Sequence, residues 1–468
     1  MMGEEKLKIL LVAYDNDSYI SYFPTGLAYI ASVCREAGHD VSIYNQDVYH
    51  WTDSHLREVL NKGQFDVVGI GACAGYYTYR KVLKIAEVIN SSRCKPFFML
   101  GGHLSAPEPE YFLKRTQADV VVIGEGEATV LEILSALEAK ESLAKVQGIA
   151  YMDDGKYIET SRRPLIKEID KIPFPAWDMF PMDHYSLIRL PNAERRDRCM
   201  SVLSGRGCTF RCNFCYRMDE GFRGRSAESI IEEIRILQGN YSITYVDFQD
   251  ELLMSSEQRT IDLCQSFILA KLNIKWCCNG RLNYAKPDVL KLMKQAGCVF
   301  INYGIESMDD QALRAMNKAL TTKQIITGIE NTLNTGISPG FNIIFGNIGE
   351  TAESLEKGVE FLLKYDDHSQ LRTIRPVTPY PGCDLYYYAV EKGLLQGVED
   401  FYEKKHMNSD LLTVNFTDLS DEEFHRLLFQ ANSRLLKNYY RYQEDENTRI
   451  MHKLYIEKDT SFRGFRQS

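Results

Sequence analysis

The chain has 468 residues, 44% hydrophobic and 25% charged, with a formal charge of −9. This is ordinary globular composition, too long for one comfortable core and too acidic to favour nucleic acid as the main partner. No run of about 18 apolar residues occurs, and the apolar stretch Ile9–Ala13 is too short for a signal peptide, so a cytoplasmic protein without a membrane span is expected.

In chain order, Lys8–Ala13 reads as a buried parallel strand, apolar almost throughout. A helix over Thr25–Ala37 follows, then strands at Val41–Tyr44, Asp66–Gly71, Phe97–Leu100 and Asp119–Ile123. Helices near His55–Asn61, Arg80–Asn90 and Thr129–Ala139 separate or follow them. Such alternation predicts a doubly wound parallel sheet over residues 1–150. Its glycines cluster at the carboxyl ends of strands: Gly71, Gly101 with Gly102, and Gly124 with Gly126. Ligands of open α/β sheets bind at that edge, where glycine permits close approach to a flat or phosphorylated group. No GxGxxG follows the first strand, so the dinucleotide fingerprint is absent.

The runs Pro24–Ala31, Arg35–His39, Leu100–His103 and Asp119–Glu127 resemble the cobalamin-binding domain found before a radical S-adenosylmethionine core. The resemblance implies that Gly71, Gly101, Gly102, Gly124 and Gly126 lie against cobalamin. It lacks the DxHxxG that supplies a lower axial His in methionine synthase and the mutases; neither His39 nor His103 has that context. Base-off cobalamin without a His ligand is therefore implied.

A β-hairpin with an Asp-Gly turn is predicted at Tyr151–Tyr157. It opens a linker over 151–198, rich in proline from Pro164 to Pro191, and Ile172–Asp178 resembles the linker of the same two-domain family. After a short strand, Cys208, Cys212 and Cys215 form a CxxxCxxC loop. Three close thiolates can ligate three irons of a [4Fe–4S] cube and leave the fourth open to substrate. Zinc competes as a reading, but structural zinc favours four ligands, usually in paired motifs. The spacing and the aromatic Phe214 resemble the cluster loop of radical S-adenosylmethionine enzymes, where that aromatic packs near adenine.

Downstream, about six β/α units over 199–392 predict the partial barrel of that superfamily. A last strand is expected at Leu371–Pro376, and a helical C-terminal segment over 393–468. Polar groups at the strand ends form an ordered set: Gln249-Asp250-Glu251, Asn279 with Arg281, Glu306-Ser307, and Asn347 with Gly349-Glu350. By the resemblance, Asp250 and Glu251 hold the methionine ammonium, Arg281 the carboxylate and Glu306 the ribose. The strand Gly340–Gly346, with Asn342 and Gly346, lies against adenine. Ile348 stands before Gly349 where the family usually has proline. The aromatic-rich C-terminal segment reads as packing more readily than as a substrate cap, and its end, Asp459–Ser468, as frayed.

The resemblance implies reductive cleavage of S-adenosylmethionine, hydrogen abstraction by the 5′-deoxyadenosyl radical and methylation of an unactivated carbon from cobalamin. The substrate is a small molecule or peptide, and the electron donor a flavodoxin or ferredoxin. The alternative is a non-methylating oxidation, cyclisation or rearrangement, as in anaerobic magnesium-protoporphyrin ester cyclase. A methylthiotransferase would bring three further cluster cysteines, and Cys34, Cys73 and Cys94 form no such motif. The intact cysteine loop argues against a non-catalytic cobalamin sensor.

Overall fold

The computed structural model describes residues 6–18, 21–218 and 220–461, so the chain end beyond Ser461, expected to fray, lies outside the described residues. Five parallel strands open the chain: β1 (Lys8–Ala13), β2 (Asp40–Asn45), β3 (Val67–Gly71), β4 (Phe97–Gly101) and β5 (Val120–Val122). Their order, β2-β1-β3-β4-β5, changes direction beside β1 and opens a crevice at the carboxyl edge. Both faces are covered, which explains strands apolar at every position. Ile9, Leu11 and Ala13 pack toward the helices Thr25–Glu36 and Gly126–Ala139. Leu10 and Val12 pack on the opposite side with residues of the helices Asp53–Gly63, Tyr76–Asn90 and Pro109–Thr116. The last of these was not anticipated, although Pro109 in its first turn and Lys114-Arg115 in its last are ordinary boundary signals.

The predicted hairpin forms as β6 (Ile149–Asp153) and β7 (Lys156–Glu159), but it is not linker. It pairs antiparallel with β5 and carries the sheet to seven strands, past the expected boundary at 150.

The second sheet is parallel and open: β8 (Cys199–Val202), β11 (Tyr245–Phe248), β12 (Lys275–Gly280), β13 (Cys298–Glu306), β14 (Ser338–Phe345) and β15 (Arg375–Pro376), adjacent in chain order. Between β8 and β11 lies a short antiparallel pair, β9 (Gly205–Arg206) with β10 (Arg223–Gly224). β15 is shorter than expected because Arg372 turns inward, donating to Asp367 Oδ1 at 2.6 Å and to the Pro339 carbonyl at 3.1 Å.

The C-terminal segment divides between the two sheets. Tyr386, Phe401 and Tyr402 are buried in the first domain's core, with Tyr402 stacked on Tyr79 at 4.6 Å. The helix Asp421–Tyr455 packs on the barrel instead, its Phe424 stacked on Phe345 at 4.8 Å. Core packing therefore absorbs these three aromatics, whereas Tyr387, Tyr440 and Tyr442 are exposed.

Two features shape the strand ends. Gly102 has φ +92°, and a Cβ there would fall on the Ala72 backbone. Gly102→Ala should cost about 2 kcal/mol or more in urea unfolding. At the end of β14, Glu350 accepts from the amides of Gly346 (2.8 Å) and Asn347 (3.0 Å). Burial pushes its carboxyl up to about 7. Because the folded state holds this proton more tightly than the unfolded chain, its stabilising contribution is complete below about pH 4.5 and lost as pH rises through about 7. Unfolding free energies measured from pH 4.5 to 8 should fall over that window by up to about 3 kcal/mol from this group, and Glu350→Gln should flatten the slope.

Candidate active site

The loop that carries the cysteines is closed at its base by β9 and β10, with a further bridge between Cys208 and Glu220. Glycine is required at the neck, since a Cβ on Gly207 (φ +82°) would strike the Gly221 backbone. Asn213 anchors the crown. Its amide donates to the Met316 carbonyl at 3.0 Å, and its side chain exchanges hydrogen bonds with buried Asn347 at 3.1 and 2.9 Å. Asn317 adds a bond to the Arg211 carbonyl at 2.7 Å.

The three thiols differ in environment. A hydrogen bond from Cys215, then the charges of Lys318 and Arg281, pull Cys212 down to about 6. Cys215 is pushed up by the same hydrogen bond, so the pair holds one proton between them. Burial raises Cys208, and Arg281 opposes that rise. Two cations thus stand where thiolate charge would accumulate, as iron ligation requires. Among the described residues no three His, Cys, Asp or Glu side chains could hold a single metal ion.

Arg281 fits an anionic ligand. It is buried, with its guanidinium carbon 3.3 Å from the centre of the Phe210 ring, and it donates to the carbonyls of Lys318 and Ala319. Its Nε, also buried, has no partner. An orphan donor beside the cysteines suits a carboxylate oxygen.

Glu306 has φ +68° at a register shift between β13 and β14, a bulge that re-aims its side chain. It pairs with Lys318 at 2.8 Å, and the Lys318 ammonium lies 5.9 Å from the centre of the Phe214 ring. Phe214 itself packs against the first domain's core. Lys318 was not singled out from the sequence; it follows a short helix rather than a strand, so no strand-end pattern marks it.

Asp250 departs from expectation. Its carboxylate accepts from the Ser204 amide (2.6 Å), the Ser204 hydroxyl and the Gly205 amide (3.3 Å), so it fixes the end of β8. Burial pushes it up to about 6. Glu251 is exposed and accepts from the Gly207 amide at 2.9 Å, leaving it the carboxylate that faces the loop. Asn342, Asn302 and Asn279 form a ladder across the sheet, donor to acceptor at 2.9 and 3.0 Å, ending on the Asp250 carbonyl at 2.8 Å. Asn342 is exposed on the ladder. Gly346 (φ +99°) is instead explained by packing, because a Cβ would meet the Phe424 ring.

The first domain's glycines divide likewise. Open space surrounds the Cβ positions of Gly71 and Gly124, which a flat ligand could fill. Gly101 has only ordinary contact with Val122, Gly102 serves the approach to Ala72, and Gly126 makes room for Ile30. This edge faces the cysteine loop: the His103 ring meets Tyr216 edge-on at 5.6 Å.

A clasp of charges joins the two domains. Arg206 donates to Glu125 at 2.8 Å and to Glu127 at 2.5 Å, while Arg223 donates to Glu125 at 2.9 and 3.0 Å. Arg206 also lies over the Tyr29 ring, 5.3 Å from its centre. Neither arginine was identified from sequence, because their partners lie about 80 to 100 residues away.

The family model "Radical SAM superfamily" matches residues 202–362, and "B12 binding domain" matches residues 16–134. An uncharacterised methyltransferase of Pyrococcus horikoshii is 34% identical over 401 residues, covering 83% of this chain and 84% of the relative. The anaerobic magnesium-protoporphyrin IX monomethyl ester cyclase of Rubrivivax gelatinosus is 26% identical over 450 residues, 89% of this chain and 79% of that one. Among solved structures, the cobalamin-dependent S-adenosylmethionine radical enzyme OxsB with aqua-cobalamin bound superposes with a TM-score of 0.67 at 20% identity. That match covers 83% of this chain but 56% of OxsB, and at this identity it speaks to fold. The chain belongs to the radical S-adenosylmethionine enzymes whose core follows a B12-binding domain.

Proposed function

We propose that the chain methylates a carbon atom of a small molecule or peptide, using S-adenosylmethionine, a [4Fe–4S] cluster and cobalamin. The observation that carries this reading is the facing of two seats: the open glycine turns of the first domain and the cysteine loop, joined at His103–Tyr216 and by the arginine clasp. When bound, the cluster supplies the electron that cleaves S-adenosylmethionine and cobalamin supplies the methyl group.

In this reading Cys208, Cys212 and Cys215 ligate iron, with Lys318 and Arg281 balancing thiolate charge. Arg281 Nε receives the methionine carboxylate, Glu251 the ammonium, and Glu306 a ribose hydroxyl. Asn342 borders the adenine strand. Gly71 and Gly124 admit the flat macrocycle without a histidine ligand; the His103 ring packs against Tyr216 instead. Phe210, Phe214 and Tyr216 surround the loop with apolar surface that excludes water. A flavodoxin or ferredoxin supplies the reducing electron. Among the described residues no helix is long and apolar enough to cross a membrane.

A second reading, oxidation or cyclisation without methyl transfer, is favoured by the 26% identity to the ester cyclase across 89% of the chain. Turnover with deuteromethyl S-adenosylmethionine separates the two: methyl transfer requires label in the product, and unlabelled product selects the second.

Anaerobic reconstitution should load about four irons per chain with a broad sulfur-to-iron absorption. Cys212→Ala should abolish 5′-deoxyadenosine formation; undiminished cleavage would refute the assignment. Arg206→Met, which leaves the cysteines intact and loosens the clasp, should depress methyl transfer by roughly 10²-fold while depressing S-adenosylmethionine cleavage much less. Equal losses in both would contradict a role in holding the two seats together.

A further inference from the structure

The parallel register decides which side chains share the barrel's inner face. Asp247 lies opposite Ser201 and Cys277, Asn279 opposite Asn302, and Asn302 opposite Gly340. At the amino ends this face is plugged by Cys199, Tyr245, Cys277 and Phe300, against which Ile188, Leu190 and Ala193 of the linker pack. Asp247 stands two residues above Tyr245. It lies one residue, about 3.3 Å, below the end of β11 at Phe248.

The surroundings of Asp247 are neutral. It accepts from the Cys277 thiol at 3.2 Å and from the Gln249 amide at 3.4 Å, both weak bonds for a carboxylate. Among the described residues no base pairs with it. Arg189 and Lys275, toward the plug, are already engaged. Arg189 donates to the carbonyls of Glu194, Arg195 and Asp197, and Lys275 pairs with Glu194 and Asp197. Burial accordingly raises the Asp247 pKa, with only its two neutral partners opposing the rise. A half-buried carboxylate without a counter-charge carries a desolvation cost, and a bound cation would offset it. Further acceptors are near. The asparagine ladder lines the adjacent strands.

We propose that this face seats the substrate, with Asp247 the counter-ion for its protonated amine. The inference rests on the reading that the substrate meets the radical inside the barrel. It narrows the substrate class to amine-bearing small molecules. An ammonium offers three N–H donors and one charge, which an acceptor-only carboxylate matches. A carboxylate-rich substrate would bring like charge to Asp247 at the base of this face.

The test uses the full-length chain under anaerobic conditions without S-adenosylmethionine or reductant, so it stands apart from the radical chemistry. Saturation-transfer NMR compares n-hexylamine with 1-hexanol. The amine should bind at least tenfold more tightly than the alcohol. Asp247→Asn should lose that preference, and Asp247→Glu should keep part of it. Equal binding of amine and alcohol to the unaltered protein would overturn the proposal without recourse to any variant. So would a preference that persists in a folded Asp247→Asn protein, checked by its thermal unfolding.

Discussion

The clasp between Arg206, Arg223 and the carboxylates of Glu125 and Glu127 is the constraint on which the site depends, because it ties the base of the cysteine loop to the edge of the first domain. Both arginines sit on the short strand pair that closes the loop; Glu125 caps, and Glu127 opens, the helix Gly126–Ala139 that follows β5. All four side chains are largely buried, where guanidinium–carboxylate pairs are directional and costly to separate. A glycine pattern expected to serve a ligand thus serves two ends: Gly124 leaves open space, while the glutamates beside it fix the neighbouring domain. The C-terminal segment reinforces the same arrangement, with one part in each core.

Electrostatics around the loop follow from that placement. Lys318 is held by Glu306, and Arg281 by backbone carbonyls and the Phe210 ring, so neither cation is neutralised by a cysteine alone. The Cys215 hydrogen bond, and then this positive field, lower Cys212, and one donor of Arg281 is left without a partner. At Asp247 the balance reverses, and among the described residues no base pairs with it. On the proposed reading, a substrate amine would face Asp247 rather than these two cations.

Much of this was legible in the sequence. The strand–helix alternation, the cysteine spacing and the strand-end polar groups depend on neighbours within a few residues or on the regular barrel order. What escaped was long-range. Asp250 was expected to face a ligand, yet Ser204 and Gly205, 45 residues or more earlier in the chain, take its oxygens. Gly126 and Gly346 were expected to border cofactors, but each makes room for a side chain from another helix. Lys318, Arg206 and Arg223 lie outside any local motif, and only their distant partners reveal them. The hairpin β6–β7 was read correctly as a hairpin and misplaced as linker, because pairing with β5 has no local signature.

The central claim is that cobalamin and the cluster face a single space. Electron paramagnetic resonance tests it on the chain loaded with cobalamin in its cobalt(II) state, measured with the cluster oxidised and then reduced. The account predicts that the cobalt signal broadens and relaxes faster once the cluster becomes paramagnetic. A cobalt signal unchanged by cluster reduction would contradict it.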